Sequence, residues 1–569
     1  MKTFKRESMT MVAVKGPRFS LPPRFAVRRQ PIAFLLSVVM VVNIASMPMK
    51  AYLTEPLPSF RAPPPDERFA NYSAFNAATL AANRAYYNAL TIPNGTTYFS
   101  DDHRGAQVVR HAINLTNHRA MDRSECVSSF VLGFPGLIYY LPHQMDMVCA
   151  LAAANAPNAA DWDGRGSCFH SRFCSVEIGH VCVWLDAGDA VHGDPEAPQK
   201  LTLSFAFTSE RFFLWLWIKL VYRCGITLLV VHRMWARYYA HCVALERTLV
   251  SRGHRPGLDE AHRYDLLLGD PTAIILLDPT IAFAFVVDMW MSTSSVGIAV
   301  LRATQNSDTA ILLLTFIYLS RTVWFAYCAL GLTSSFLKRC RLEHAFAEVD
   351  PTMLAVAVAI YGPLVSWLSG NVGFLALLYQ WTFACLAPPT LVAEQNELAP
   401  GCAMYTLLIG SLPLCYGFIA PRFYCGFQGK SQTPRTLADY SSQRYNSVKS
   451  RLVFGFLEKL QKSSQQLLRG PETNLGGTVY AVFESNPRYK NCPTISMRSA
   501  DVFVFCYRDD EVVQKIRLSL LSSLDCNASD PALAIRVRKS ASPLFVSAIA
   551  PLQKGWEIQR PSKPSIWCI

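Results

Sequence analysis

Charge is what this sequence has least of: Asp, Glu, Lys and Arg make up 17% of its 569 residues, against 51% hydrophobic residues. So little charge excludes a disordered chain and is too low for an ordinary soluble protein of several domains. Acids are the scarcer sign, 41 against 54 bases, which leaves a formal net charge of +13. Motifs that would name a chemistry are also missing. The tail has no G-x-G-x-x-G, P-loop, kinase or zinc-ribbon signature, and no nucleic-acid-binding motif accompanies the basic segments. No internal repeat at solenoid periods is present. The final Ile-Trp-Cys-Ile is not a prenylation box, because Cys568 is second from the end rather than fourth. These residues give no reason to expect a catalytic set, a metal, a cofactor or a nucleic-acid partner.

What is present is apolar residues gathered into runs of about twenty, the length that spans a bilayer. The first, Ile32 to Met47, follows a basic arm (1–31) in which Lys2, Lys5, Arg6, Lys15, Arg18, Arg24, Arg28 and Arg29 face only Glu7. No A-x-A cleavage site follows, so 32–50 reads as an uncleaved signal anchor. The basic arm then stays at an anionic cytoplasmic leaflet.

Residues 51–207 are expected outside, as a glycosylated, disulfide-containing domain entered by a Pro-rich stalk (PLPSFRAPPP). Sequons stand at Asn71, Asn94 and Asn114. Cys126, Cys149, Cys168, Cys174 and Cys182 are disulfide candidates in an oxidising compartment, and the odd number leaves one thiol over. The stretch CFHSRFCSVEIGHVC interleaves His170 and His180, but its cysteine spacing fits no short zinc knuckle. Alternation at Val181–Leu185 and Leu201–Phe207 predicts strands, and His143–Ala154 a helix. Asp186, Asp189, His192 and Asp194 form an acidic loop, read as solvated charge.

The membrane bundle is expected over 208–420. A span at Phe212–Val231 ends in His232, Arg233 and Arg237, followed by a polar loop (232–272) on the basic, cytoplasmic side. A hairpin of two spans, 279–301 and 309–335, ends in Lys338-Arg339-Cys340-Arg341. The run 352–387, about 36 residues or roughly 54 Å as a straight helix, must break near Gly362-Pro363 or Ser369-Gly370-Asn371. It crosses once or twice; the acidic loop after it (PPTLVAEQNELAPG) favours once. A last span, Cys402–Ala420, leads to a basic cytoplasmic module over 421–569, with an amphipathic opening (VKSRLVFGFLEKLQKSSQQLL), strand-like TVYAVF and DVFVFCYR, and a helical EVVQKIRLSLLSSL.

The expected fold is therefore an α-helical multi-pass membrane protein of about six transmembrane helices, with an α+β extracytoplasmic domain and a small α+β cytoplasmic C-terminal domain. Both termini face the cytoplasm of a membrane of the secretory pathway. Within the spans Lys219, Arg223, Asp288 and Arg321 need partners or a purpose, because charge in a bilayer is costly. Asp288 lies about 17 residues before Gln305 and Arg321 about 16 after, which with equal helical rise gives them one depth. They are expected to face each other, with Arg223 the alternative partner. Asp-Pro-Thr at Asp270, Asp278 and Asp350 predicts helix N-caps, with Asp270 opening an interfacial turn. The function expected is receptor-like or scaffolding, with an outer ligand and the lipid bilayer as partners. Transport through the intramembrane charges is the alternative, and an enzyme with its site in the outer domain, at His170, His180 and Asp186, ranks last.

Overall fold

A computed structural model of the chain describes residues 25–58, 69–187, 200–253 (save 211), 263–303, 308–386, 394–427 and 474–569, with Val448 and Leu452; short stretches at 89, 94–95, 116–118, 156, 509–510, 526–533, 540–546, 553–554 and 562–564 are also outside it. The Pro-rich stalk from Ser59, Asn94, the acidic loop with Asp189, His192 and Asp194, and most of the amphipathic opening of the tail lie outside the described residues.

Strand β1 (Ala26–Arg29) leads into helix α1 (Pro31–Ala45), and α2 (Tyr72–Tyr86) follows. A sheet, labelled outer after the sequence expectation for residues 51–207, is then built from β2 (Tyr98–Asp101), β3 (Ala106–Asn114), β4 (Gly166–Phe173), β5 (Val176–Ala187) and β6 (Lys200–Ser209), with α3 (Pro142–Ala153) between β3 and β4. Its order is β2-β3-β6-β5-β4, completed by β8 (Gln395–Glu397), which arrives from far along the chain and pairs parallel with β4. Alternation gives the sheet two faces. Val181, Val183 and Leu185 point with Leu203, Phe205 and Phe207 into a core shared with α3 and the helix ends, while Cys182 and Trp184 pack with Cys168 and Val108 beneath Phe75 of α2.

The bundle begins with α4 (Phe213–Met234), whose helical course runs on to Ser251, a 39-residue helix. The stretch read as a solvated loop (232–272) is thus largely helix, and its far end is strand β7 (Arg263–Leu267). Then come α5 (Pro279–Trp290) and α6 (Thr293–Ala303), bent by 72° at their junction; α7 (Thr309–Leu319) and α8 (Val323–Cys340), joined by a 3-10 turn at Ser320–Thr322; α9 (Pro351–Asn371) and α10 (Gly373–Leu386); and α11 (Ala399–Phe427). Among the described residues four helices are long and apolar enough to cross a membrane, Phe213–Ser251, Thr309–Cys340, Pro351–Asn371 and Ala399–Arg422, and the bent pair α5–α6 makes five if it is one span.

Helix α4 is inside out by the standard of a soluble protein. Leu214, Ile218, Val221, Leu228 and Val231 are exposed along one stripe, while Lys219 and Arg223 on the opposite face are buried. An exposed apolar stripe of that length suits lipid, which carries no penalty for contact with hydrocarbon. Leu35, Val39 and Val42 on α1 and Met353, Val356, Ile360 and Leu364 on α9 repeat the pattern.

The tail adds β9 (Asn474–Leu475), α12 (Thr478–Ser485), β10 (Val502–Arg508), β11 (Glu511–Leu520), a small sheet of β12 (Ala534–Lys539), β13 (Ser547–Leu552) and β14 (Gly555–Arg560), and β15 (Trp567–Cys568). Two sequence expectations are reversed here. TVYAVF is helical, because Val479, Tyr480, Val482 and Phe483 gather on one helical face after Gly476-Gly477, both at positive φ. EVVQKIRLSL is a strand, because Ile516, Leu518 and Leu520 alternate into the core; β-branched and aromatic propensity yielded to packing in TVYAVF, and the expected helical period yielded to strand alternation in EVVQKIRLSL.

The sheet order is β1-β7-β10-β11-β15, so Ala26–Arg29 at the end of the basic arm, β7 and the described strands of the tail share one sheet. The other sheet takes β8 from beyond the bundle. Helix ends alternate between the two sheets. Gln30 before α1 donates to Leu266, and Val349 before α9 to Thr494, on one side; Arg302 ending α6 donates to Tyr98, and Gly133 to Gly370 near the end of α9, on the other. Both Gly373, at the start of α10, where it abuts Ser128, and β8, after that helix, thus lie beside the same outer sheet.

Asp278 and Asp350 occupy the N-cap positions of α5 and α9, accepting from Thr280 N at 3.1 Å and from Thr352 N at 2.9 Å. Asp270 differs. Its carboxylate accepts from Thr272 N, but the cap position of the following turn (Ala273–Leu276) is Thr272 itself, and Pro271 to Leu276 are buried rather than interfacial.

Candidate functional site

Charged side chains are most concentrated where the helices break. Arg223, on the buried face of α4, donates from Nε to Asp288 Oδ1 at 2.7 Å, and from Nη2 to Glu55 Oε1 at 3.0 Å and Ser292 Oγ at 2.7 Å. Arg321, in the 3-10 turn between α7 and α8, bonds the other oxygen of Asp288 and lies 3.5 Å from Glu55 Oε1. Lys219, one turn from Arg223, donates to Glu55 Oε2 at 3.0 Å, and the Tyr318 hydroxyl donates to Glu55 Oε1 at 2.6 Å. All five charged side chains are 6% exposed or less. Asp288 thus binds both candidate arginines.

Two breaks in regular structure sit at this cluster. Ser292 lies in the bend between α5 and α6, and Arg321 in the turn between α7 and α8. Polar backbone freed at such breaks is tolerated at membrane depth only where it is buried in protein or lines water. The third contributor, Glu55, is not on a span. After α1 and a short 3-10 turn, Met49–Leu53, the chain brings this acid back into the bundle.

Glu55 is the residue missed by sequence reasoning, which gave all of residues 51–207 to the outer domain. The signal was a shortage: Lys219, Arg223 and Arg321 stood against the single acid Asp288. Glu55 also lines a cavity of about 480 Å³ between the outer sheet and the bundle. Its walls include Tyr98, Asp102 and Gln107 from β2, β3 and the turn between them, and Ser295 and Arg302 from α6. Arg302 Nε donates to Tyr98 Oη at 2.5 Å and Nη2 to Gln107 at 3.1 Å, tying the vestibule's sheet wall to its helix wall.

The other candidate residues do not meet. His170 stacks on Phe75 at 3.9 Å and pairs with Glu177, whereas Asp186 accepts from Arg84 at 2.9 Å and from the Trp184 indole at 2.6 Å. His180 faces His170 across the β4–β5 pair, six residues and about 20 Å along the strand from Asp186. No three His, Cys, Asp or Glu side chains among the described residues are grouped to hold a metal ion. Cys126 and Cys149 form one disulfide and Cys168 and Cys182 another, leaving Cys174 exposed at the β4–β5 turn. Asn71 caps α2 through its side-chain oxygen and is exposed, as is Asn114 at the end of β3.

His180 carries a pH prediction. Burial, with His170 beside it and Glu177 opposing, pushes its pKa down to about 4. The folded form therefore keeps it neutral, while an unfolded histidine takes up a proton near 6.5. Stability should rise with pH between about 4 and 6.5 and level off above, by at most about 3 kcal/mol. Thermal melts of the purified protein across this range should show that limb, and His180→Asn should flatten it; an unchanged limb would assign it elsewhere.

No family model matches the chain, and no curated protein or solved structure matches it either.

Proposed function

We propose that the chain is an integral membrane protein of about six crossings that couples an outer, disulfide-bonded unit to an inner sheet module, in the manner of a receptor or scaffold. One observation carries this reading: the vestibule between outer sheet and bundle ends at Glu55, whose carboxylate is shared by cations from α4 and the α7–α8 turn. A ligand entering the vestibule would press on a group that, with Asp288, ties these elements together. In this reading the sequons at Asn71, Asn94 and Asn114 face the lumen, and the basic arm and tail face the cytoplasm. The cystines agree with an oxidising secretory compartment.

Two measurements test it. Expressed in a secretory host, the protein should carry glycans among Asn71, Asn94 and Asn114 and none at the tail's own sequon, Asn527-Ala528-Ser529; the reverse pattern sinks the orientation. In nanodiscs, tethering β2 to α6 by a bis-maleimide linker between Tyr98→Cys and Arg302→Cys should slow hydrogen exchange in β7 and β10. Exchange there that ignores the tether refutes coupling. Transport is the second reading, favoured by the helix breaks at the charge cluster, which resemble the discontinuous spans of transporters; solute flux in proteoliposomes separates the two.

A further inference from the structure

The Glu55 carboxylate rests in a site built for an anion. Lys219 Nζ, Arg223 Nη2 and the Tyr318 hydroxyl converge on it within 3.0 Å, and Arg321 Nη1 lies 3.5 Å away. The surroundings hold more positive charge than this chain's acids cancel: three cations face two carboxylates. Beyond that, Arg321 Nε is buried with no hydrogen-bond acceptor among the described residues, Arg223 Nη1 has none in hydrogen-bond geometry and its guanidinium lies over the Tyr52 ring, and Arg321 Nη1 has only the 3.5 Å approach to Glu55. A guanidinium in a low-dielectric setting left with open donors is a recognition group waiting for an acceptor.

The two acids are held differently. Asp288 sits on α5, with each carboxylate oxygen taken by a separate arginine. Glu55 lies on irregular backbone between a 3-10 turn and Pro56, on the wall of the vestibule. The Glu55 side chain is fully buried, so its carboxylate is closed off from the cavity; rotation about its side-chain bonds would carry it toward the cavity and leave a hole of carboxylate size ringed by donors.

We infer that this hole is a binding site for a small monovalent anion, such as chloride or a short carboxylate, for which the Glu55 carboxylate is a tethered competitor. The anion enters through the vestibule and takes the donors that Glu55 releases, while Asp288 keeps Arg223 and Arg321 in place. No bond is made or broken, and one anion exchanges for another. The site goes beyond the coupling role, since it stands whether or not the outer and inner units communicate.

Glu55→Gln removes the competing charge and keeps the shape. Purified Glu55→Gln protein should be stabilised against heat by sodium acetate or chloride, saturably, at a concentration at least tenfold below that needed by the unsubstituted protein. Sodium gluconate at equal ionic strength, too large for the hole, should do nothing comparable. Equal response to gluconate and chloride in both proteins would overturn the proposal. If Glu55→Gln yields no folded protein, equilibrium binding of labelled chloride to the unsubstituted protein decides: saturable binding that acetate displaces, and that Lys219→Met weakens while Lys338→Met does not, supports the site, and its absence refutes it. None of these readouts involves hydrogen exchange in the inner sheet, so loss of coupling and loss of anion binding are told apart.

Discussion

Asp288→Asn should cost about 3 to 5 kcal/mol, enough to remove most of the folded protein from the membrane, because it strips the shared carboxylate from two buried guanidinium groups. Typical domains are stable by only about 5 to 15 kcal/mol in total. Asparagine fills the same space, so the loss is electrostatic rather than one of packing. Arg223 would retain Glu55 and Ser292, whereas Arg321 would keep only its longer contact with Glu55. Adding Arg321→Met should therefore recover more than half of the loss, since the cluster returns to an excess of one positive charge. Monodisperse yield and melting temperature in detergent read both effects. An Asp288→Asn protein that folds and reaches the membrane normally, with altered flux, would instead make the acid part of a transport path.

Loss of the Cys168–Cys182 bridge should be nearly as damaging. The disulfide closes a 14-residue separation, worth about 3 kcal/mol in the chain-entropy account. Both cysteines are fully buried between the sheet and α2, and the buried Asn83 amide donates to Cys182 Sγ at 3.1 Å. Replacing the pair with alanine leaves that amide without its acceptor as well as a space in the core. The outer unit of Cys168→Ala/Cys182→Ala should melt earlier, and dithiothreitol, which also opens Cys126–Cys149, should shift the parent protein at least as far. Cys174→Ser, at an exposed turn, should not; coincident melts for all three proteins would remove the disulfide's role in stability.

The helices and the strands of the outer unit announce themselves through period and length, and an ionisable residue inside an apolar run is visible at once. Lys219, Arg223, Asp288 and Arg321 could therefore be singled out without coordinates. Glu55 could not, because its return to the bundle depends on a turn after α1 that leaves no periodic mark. The breaks beside Ser292 and Arg321 were equally silent: a run of hydrophobic residues looks the same whether its helix is straight or bent by 72°. In the tail, short segments rich in valine and aromatics suit helix or strand, and contacts made far away decided between them. The joining of β1, β7 and β10 was beyond reach for the same reason, as sequence pattern reports each strand's faces but not its neighbours.

That shared sheet also sets a schedule for making the protein. Strand β7 can pair with β1 as soon as residue 267 is available, but its other edge is covered only by β10, which begins at Val502. At about 5 to 20 residues per second, the ribosome needs roughly 12 to 47 s to supply the missing partner. Throughout that interval Tyr264, Leu266 and Leu267, all buried in the finished protein, belong to a strand with an open side. Biogenesis thus includes a waiting period in which the membrane helices are already made while the inner sheet is incomplete, and the quality of the final product depends on that edge meeting β10 before it meets another chain.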